Sequence, residues 1–500
     1  MMRHLPARLE GPAASKDGAA DIGPNASRRL KPRPAWPAAH LPAALALVIG
    51  AGGCAAVGPD YTRPVVPTPE AFRGAPEASA AETSVGDQQW RALFVDEALR
   101  ALIARALERN HDLRIAAARL LQTEALLGVT RANQFPRIDA QAAAQGQRTS
   151  LGRQDDETRT AGIVQLGGAA VWEVDFWGRY RRATEAARAE LLATEWGRRA
   201  VAASVVTATA TGYYDLLALD RELAIATRTL ATREESLRLT QVRESGGATS
   251  LVDVRQAEQL VFGARVVIVD LQRQIAQQEN LLNLLTGSHP GEVPRGRPLT
   301  EQPPAPEVPA GLPSSLLTRR PDIQQAEAFV VAANADIGAA RAARFPQVTL
   351  TGSGGLASTA LTALLSGPAA AWTLAASATQ PLFDGGRIRS EVALAEARHQ
   401  EAVVQYDRVV QGAFREVADA LAGYQRTRER RQAQELMVTS AQDARRLSDL
   451  RYQGGVASYL EVLDSETRLF GAELDLVRAQ YSELATFVEV YRALGGGWQP

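Results

Sequence analysis

The chain has 500 residues, of which 46% are hydrophobic, and its 55 basic and 56 acidic side chains give a formal net charge of −1. A net charge this close to zero argues against a nucleic-acid-binding protein, which would carry an excess of basic residues. A single cysteine and five scattered histidines exclude an internal disulfide, a cysteine metal cluster and a helical histidine site. The sequence also lacks the common zinc-protease, P-loop and serine-hydrolase motifs, so we predict no enzyme activity, no metal site and no cofactor.

Residues 1–53 have the composition of a secretion signal. Four basic side chains at positions 28–33 precede a short apolar segment at 41–49, and small residues directly precede Cys54. This order is typical of a bacterial lipoprotein, so we predict cleavage before Cys54 and attachment of a diacylglycerol and an N-acyl chain to it. A plain secretory signal with an incidental cysteine is the alternative. The long polar start is consistent with an over-extended start codon.

Residues 54–95 are rich in proline, alanine and glycine, and we interpret them as an extended linker rather than a core element. A helical pattern begins near Asp96. It should end near Asn133, because Pro136 disfavours helical backbone in the residue before it.

Beyond Pro136 the apolar period changes from helical to two. Alternating segments cover 138–145, 164–176, 348–356 and 372–379. Their length and alternation are those of transmembrane β-strands, although a half-buried hairpin on a globular core would alternate in the same way. A signal for the outer membrane favours a barrel. Four strands cannot close one, so several chains must contribute.

Two proline-free helical stretches follow the strand pairs, at 180–244 and 387–453. Each spans on the order of 100 Å at about 1.5 Å per residue. The glycine pairs Gly246-Gly247 and Gly454-Gly455 should break these helices and form turns at partner-facing tips. The returning helices carry heptad spacing, which predicts a coiled-coil seam, but the apolar stripes of the two copies differ by one residue in register.

The two halves of the chain repeat each other. Asp112 corresponds to Asp322 at an offset of 210 (322 − 112), and Gly178 corresponds to Gly386 at an offset of 208 (386 − 178). We therefore predict structural repeat 1 at 96–293, a proline-rich crossing at 294–318 and structural repeat 2 at 319–500. Asp112 and Asp322 are interpreted as helix-starting residues rather than catalytic carboxylates. Phe135-Pro136 and its counterpart Phe345-Pro346 should mark helix-to-strand corners.

Five motifs carry a family resemblance over nearly all of 54–500: CAAVGPDY at 54–61, RRPDI at 319–323, ARFP at 343–346, PLFDGGR at 381–387 and ALGGGW at 493–498. The chain resembles the TolC-like outer-membrane efflux factors, specifically the OprM/NodT-like lipoprotein subgroup that serves resistance–nodulation–division pumps. Ala55 after Cys54, rather than an aspartate, resembles lipoproteins sorted to the outer membrane of Gram-negative bacteria.

The resemblance implies a mainly helical fold with a small membrane β part. Three chains would each give four strands to one β-barrel, continued by a long periplasmic α-helical barrel. The expected partners are a periplasmic adaptor, or membrane fusion protein, and an inner-membrane resistance–nodulation–division pump. The expected function is passive export of small toxic compounds or drugs. The alternatives are a type I protein-secretion or metal-efflux conduit, or a lipid-anchored periplasmic coiled-coil scaffold that never pierces the membrane.

A gate is implied where the helices taper, and by resemblance we place this tip near residues 414–421. Asp419 is the candidate for a ring of three carboxylates, and Leu421 is the candidate for a nearby apolar constriction. The alternative is that Asp419 is an ordinary solvated helix residue. The equivalent place in repeat 1 holds Tyr213, Tyr214 and Asp215.

Overall fold

Two successive units, each with a helix, a β-hairpin, a long helix and a returning helix, make up the fold. The computed structural model describes residues 56–73, 84–150, 158–303, 306, 308–311, 313–365 and 369–499. The predicted signal peptide and Cys54 lie outside these residues. A short helix α1 (Trp90–Leu93) precedes the first unit. The first unit contains α2 (Glu97–Arg109), α3 (His111–Ala132), β1 (Arg137–Ser150), β2 (Thr158–Val174), α4 (Arg179–Ser245) and α5 (Leu251–Leu285). The second contains α6 (Pro313–Arg319), α7 (Pro321–Ala342), β3 (Gln347–Ser358), β4 (Ala370–Thr379), α8 (Arg387–Gln453) and α9 (Tyr459–Ala493).

The duplicated sequence gives duplicated helix boundaries. Helices α4 and α8 have 67 residues each, and α5 and α9 have 35 each. Asp112 and Asp322 lie in the first turns of α3 and α7, as predicted. These two helices end before Phe135-Pro136 and Phe345-Pro346, which confirms the two helix-to-strand corners.

The four strands form one antiparallel sheet in the order β1-β2-β3-β4. Arg137 pairs with Val171 in the first hairpin, and Val171 pairs in turn with Thr351 of β3. Within the part of the chain that the structure describes, β1 and β4 each pair on one side only. The sheet therefore has two open edges.

The helices form a layer one helix thick with two tiers. In the upper tier, beside the sheet, the packing order is α3-α4-α7-α8; in the lower tier it is α5-α4-α9-α8. Helices α4 and α8 run through both tiers, and each is about 100 Å long. The fold is thus mainly helical with a small sheet, as the resemblance implied.

Helix α9 lies between α8 and α4, whereas α5 packs mainly on α4. Because α9 has a neighbour on each side, its buried residues occupy more than one stripe. They are Val462, Leu463, Leu474, Val477, Phe487, Val488, Val490 and Tyr491. This difference in neighbours explains why the heptad stripes of the two returning helices differ in register.

The main core lies at the junction of the two tiers, and the N-terminal segment contributes to it. Trp90 is 2% exposed and packs with Phe94, Tyr213 and Leu216. Phe72 is buried in a second cluster with Tyr406. The interpretation of 54–95 as a linker without a core role is therefore wrong for these aromatic residues. Phe72 lies outside any helix or strand and Trp90 begins a helix of only four residues, so neither burial left a periodic pattern in the sequence.

Candidate functional site

The sheet presents an apolar face that no other part of the described chain covers. Trp372 and Leu374 of β4 and Ile138 of β1 all lie exposed on the face formed by even-numbered residues. Odd-numbered positions such as Gln141 and Thr373 lie on the opposite, polar face. An exposed apolar face on strands of this length fits lipid, while the polar face fits water.

The junction between sheet and helices is marked by stacked aromatic rings. Trp177 stacks on Phe345 with ring centroids 4.7 Å apart and donates a hydrogen bond from Nε1 to the Pro346 carbonyl at 2.8 Å. The N-terminal segment lies at the same level, because the Val57 amide donates to the Trp177 carbonyl at 3.0 Å. Ala56 sits so close to Gly178 that a Cβ there would lie 2.5 Å from the Ala56 Cβ.

The two turns at the far end of the long helices are built alike. Gly247 and Gly455 have φ values of +75° and +71°, in the left-handed region that favours glycine. The Ala248 amide donates to the Arg243 carbonyl at 2.8 Å, and the Val456 amide donates to the Arg451 carbonyl at 3.0 Å. These are the bonds of a Schellman helix end. Gly246-Gly247 and Gly454-Gly455 are therefore helix-breaking turns, as predicted.

Replacing Gly247 by alanine is expected to destabilise its turn by about 1–2 kcal/mol, because a Cβ is strained at this φ although nothing lies within 4 Å of it. Gly246→Ala is the matched control, since φ is −83° at Gly246. Amide hydrogen exchange at residues 240–256 should accelerate about 5- to 30-fold in Gly247→Ala and stay close to the parent in Gly246→Ala. Equal rates in the two variants would contradict this account.

The helix ends beside these turns carry both apolar and charged exposed side chains. Leu251, Val252, Val456 and Leu460 are more than half exposed. Arg451 pairs with Glu461 at 2.9 Å, and Arg468 pairs with Asp464 at 2.7 Å. Because all four charged side chains keep at least two-fifths of their surface exposed, these pairs are weak and able to exchange partners.

The predicted gate residues lie elsewhere. Asp419 is in the middle of α8, about 34 residues and so about 50 Å from its end at Gln453. Its side chain is 76% exposed and lies 3.9 Å from Arg415. Leu421 is 4% exposed within the core formed with Tyr424 and Phe487. The prediction that the tapering tip lies at 414–421 is therefore wrong, and Leu421 is a core residue rather than a constriction. Helix hairpins taper at their turns, which lie at the glycine pairs.

The corresponding residues of repeat 1 also lie in the interior. Tyr213 and Tyr214 are buried, and the Tyr213 hydroxyl is 3.2 Å from Asp96 Oδ2. Partial burial raises the pKa of Asp215 above its ordinary value. The two tyrosines belong to the core at the junction of the two tiers.

The RRPD motif forms a clamp between the tiers, which we call the Arg320 clamp: Arg320, Asp322, Glu416 and the Ala493 carbonyl. Arg320 donates to the Ala493 carbonyl at 3.0 Å and pairs with Asp322 at 2.6 Å and Glu416 at 2.9 Å. Burial alone raises the pKa of Asp322, but the hydrogen bonds and charge of Arg320 outweigh it and hold the pKa below its usual range. Asn110 is the repeat-1 counterpart, and its side chain donates to the Leu285 carbonyl at 2.9 Å.

No group of three or more metal-ligating side chains occurs among the described residues. None of the helices that the structure describes is long and apolar enough to cross a membrane. The candidate functional features are therefore surfaces: the apolar face of the sheet, its two open edges, and the helix turns about 100 Å away from the sheet.

A sequence profile of the outer membrane efflux protein family matches residues 102–288 and 312–496. The chain is 36% identical to the toluene efflux pump outer membrane protein TtgC of Pseudomonas putida, over 89% of this chain and 93% of that protein. It is 35% identical to the cation efflux system protein CusC of Escherichia coli, over 93% and 99% respectively.

Solved structures share the architecture. The open state of the Neisseria gonorrhoeae MtrE outer membrane channel matches with a TM-score of 0.82 and 32% sequence identity, covering 89% of this chain and 99% of that one. The first profile match lies within predicted repeat 1, and the second covers most of predicted repeat 2 but begins at 312, inside the predicted crossing.

Proposed function

The chain belongs to the outer membrane efflux protein family and is an outer-membrane channel component of a tripartite efflux system, and we propose that three copies of it form one passive tunnel. The observation that supports this most directly is that one chain encloses nothing. Its four-stranded sheet has two open edges, and its helical wall is one helix thick. Twelve strands from three chains suffice for a barrel with a water-filled interior.

The edges of the helical layer support the same arrangement. Helices α3 and α5 on one edge and α8 on the other carry exposed apolar side chains. On α3 and α5 they are Ile115, Leu121, Leu126, Val129, Phe262, Val266 and Val269; on α8 they are Leu394, Val404, Leu436, Met437 and Leu447. In a soluble single-layer protein these two stripes would stay exposed to water and would not stabilise the fold. A neighbouring copy would bury one against the other.

The N-terminal segment supports a lipid anchor at the inner surface of the outer membrane. Ala56 contacts Gly178 beside the stacked Trp177 and Phe345 rings, at the membrane end of the helical layer. Tryptophan side chains such as that of Trp177 favour the membrane–water interface. Cys54 is two residues before Ala56, so a lipidated Cys54 would reach the bilayer without a long spacer. Mass spectrometry of the mature N-terminus tests this, and an unmodified Cys54 would contradict it.

We place the gate at the helix turns instead of at Asp419. In a trimer the six turns would converge at the end furthest from the membrane. Glu461 and Asp464 would form rings of three carboxylates near the narrowest point, each beside an arginine. Charged rings at a constriction control both conductance and ion selectivity. The adaptor would bind the exposed apolar side chains of the same turns and so open the end it covers.

Conductance measurements test both the tunnel and the gate. The purified protein should be a trimer by light scattering in detergent and should conduct ions in a planar bilayer. Asp464→Asn combined with Glu461→Gln should change single-channel conductance or cation selectivity by about twofold or more, since three charges are lost per ring. Asp419→Ala should leave both unchanged. A monomer that does not conduct would instead favour the periplasmic scaffold.

Cargo remains a proposal with two candidates. TtgC bears the name of a toluene pump, and CusC bears the name of a cation efflux system. We propose small toxic organic compounds as the cargo, carried without catalysis, with metal cations as the second candidate. Free energy would come from an inner-membrane pump. A deletion strain that becomes sensitive to toluene or antibiotics, but not to metal salts, would support the first candidate; the reverse pattern would support the second.

A further inference from the structure

We propose the residue-by-residue register with which β4 of one chain pairs with β1 of a second copy. This inference rests on the proposed trimer. Its basis is the junction between β2 and β3 in the middle of the sheet, where the second strand of one repeat meets the first strand of the next. At the open edges, β4 is the second strand of repeat 2 in one chain, and β1 is the first strand of repeat 1 in the neighbouring copy. The central junction is therefore an internal copy of the intermolecular one.

The two hairpins show that the repeat preserves register. Residues of the first strand map onto the second repeat at an offset of 210, and residues of the second strand map at an offset of 208. Applied to the pair Arg137↔Val171 of the first hairpin, these offsets give Gln347↔Thr379. That pair is the one found in the second hairpin. The hairpins fix the sum of the two offsets at 418. The separate values come from the motifs beside the strands: Phe135 corresponds to Phe345 at 210, and Gly178 corresponds to Gly386 at 208.

The same mapping converts the central junction into the intermolecular one. Val171↔Thr351 becomes Thr379 paired with Gln141 of the second copy, and Val164↔Ser358 becomes Trp372 paired with Arg148. The observed pairs give a partner to the eight residues 372–379 of β4, from Trp372 with Arg148 to Thr379 with Gln141. The central member used below is Ser377 with Ala143, which derives from Ala169↔Ser353.

Side-chain chemistry gives an independent check on this register. A slip by one residue would place each apolar side chain of one strand beside the polar face of the other. In the proposed register, Leu374 lies opposite Gly146 and Ala376 opposite Ala144 on the apolar face. On the polar face, Thr373 lies opposite Gln147. Both faces therefore continue across the junction over these pairs, and the exception is Arg148, opposite Trp372 near the end of β1.

The close approach of the backbones at one pair of the central junction cannot be repeated between chains. Gly167 and Gly355 face each other in the central junction so closely that a Cβ on Gly167 would lie 2.6 Å from the Gly354 carbonyl oxygen. Their counterparts are Ala375 and Gln145, which both have side chains. The intermolecular strands must therefore lie further apart at this level, with the same pairing.

Disulfide trapping tests the register. A Ser377→Cys, Ala143→Cys double variant of the full-length protein should give covalent trimers under mild oxidation. In a single chain the two positions are three strand spacings apart, about 14 Å, so no intramolecular bond can form. Pairing Ser377→Cys with Gln141→Cys, Gln145→Cys or Gln147→Cys gives the register series, and each single variant is a control. The yield should be highest with Ala143→Cys, at least about fivefold above Gln147→Cys, which lies about 13 Å away.

Light scattering in detergent separates this inference from the proposed function. A conducting trimer whose trapping yield peaks at Gln141→Cys, Gln145→Cys or Gln147→Cys would overturn the register and leave the tunnel intact. A protein without a trimer would overturn both. Covalent trimers that peak at Ala143→Cys support both.

Discussion

Arg320→Ala is expected to lower the free energy of unfolding by about 2–3 kcal/mol. Removing the partner from a fully buried ion pair costs about 3–5 kcal/mol, and the smaller value applies because Asp322 and Glu416 keep about a third of their side chains in contact with water. The Ala493 carbonyl also loses its donor at the end of α9. Denaturation midpoints of the purified protein in detergent measure the change.

Two further variants define what the Arg320 clamp contributes. Arg468→Ala removes an exposed pair with Asp464 and should cost less than about 1 kcal/mol. Arg320→Lys should fall between the parent and Arg320→Ala, because an ammonium cannot match the forked guanidinium contacts. A similar loss in Arg320→Ala and Arg468→Ala would show that the clamp contributes nothing beyond a surface pair.

The effect of Arg320→Ala should also depend on pH. The pKa of Asp322 is held below its unfolded value, so this carboxylate stabilises the fold at neutral pH and loses that contribution as the pH falls through the folded pKa. The difference between parent and Arg320→Ala should therefore shrink below about pH 4, near the ordinary pKa of aspartate. A constant difference down to pH 3 would exclude Asp322 from the clamp's energetics.

Gly355→Ala is expected to reduce the yield of assembled protein by about tenfold. A Cβ at this position would meet the backbone of β2, including the Gly167 Cα at 2.5 Å, so the central junction of the sheet would have to open. Overpacking of this kind costs about 1–3 kcal/mol, and 1.4 kcal/mol already changes a population tenfold. Heat-modifiable migration on gels and the yield of detergent-extracted trimer measure assembly.

Gly354→Ala is the matched control for this prediction. Gly354 is the adjacent residue on the opposite face of β3, and nothing lies within 4 Å of a Cβ there. Its variant should assemble like the parent and could gain slightly from the lower entropy of its unfolded chain. Failure of both variants would mean that β3 tolerates no added side chain at this level, and the argument from close strand approach would be wrong.

Local features of the fold were predictable because each has a short-range cause. The turns at Gly247 and Gly455 need a residue that accepts positive φ, and two glycines in a long helical pattern indicate one. The corners at Pro136 and Pro346 follow from the restriction that proline places on the residue before it. The alternation of apolar and polar residues predicted the strands. Because the sequence is duplicated, each of these signals occurs in both halves.

Other features depend on contacts that a periodic pattern does not contain. Trp90 is buried in a segment that is neither strand nor long helix. The buried faces of α9 depend on which helices lie beside it. The sequence does not show these neighbours, so it gave no cause for the one-residue shift between the apolar stripes of α5 and α9. The helix tip was misplaced because resemblance was used for position along the helix, whereas the turns at Gly246 and Gly454 mark the helix ends directly.

The equal lengths of the paired helices restrict how this protein can vary in evolution. Helices α4 and α8 match at 67 residues and α5 and α9 match at 35. An insertion of two turns in one hairpin would leave its tip about 11 Å beyond the other, and the end of the tube would become ragged. We therefore expect a change in reach to be tolerated only when both hairpins lengthen or shorten together. The distance that the tube spans is set by both helix hairpins together, so neither repeat can change it alone.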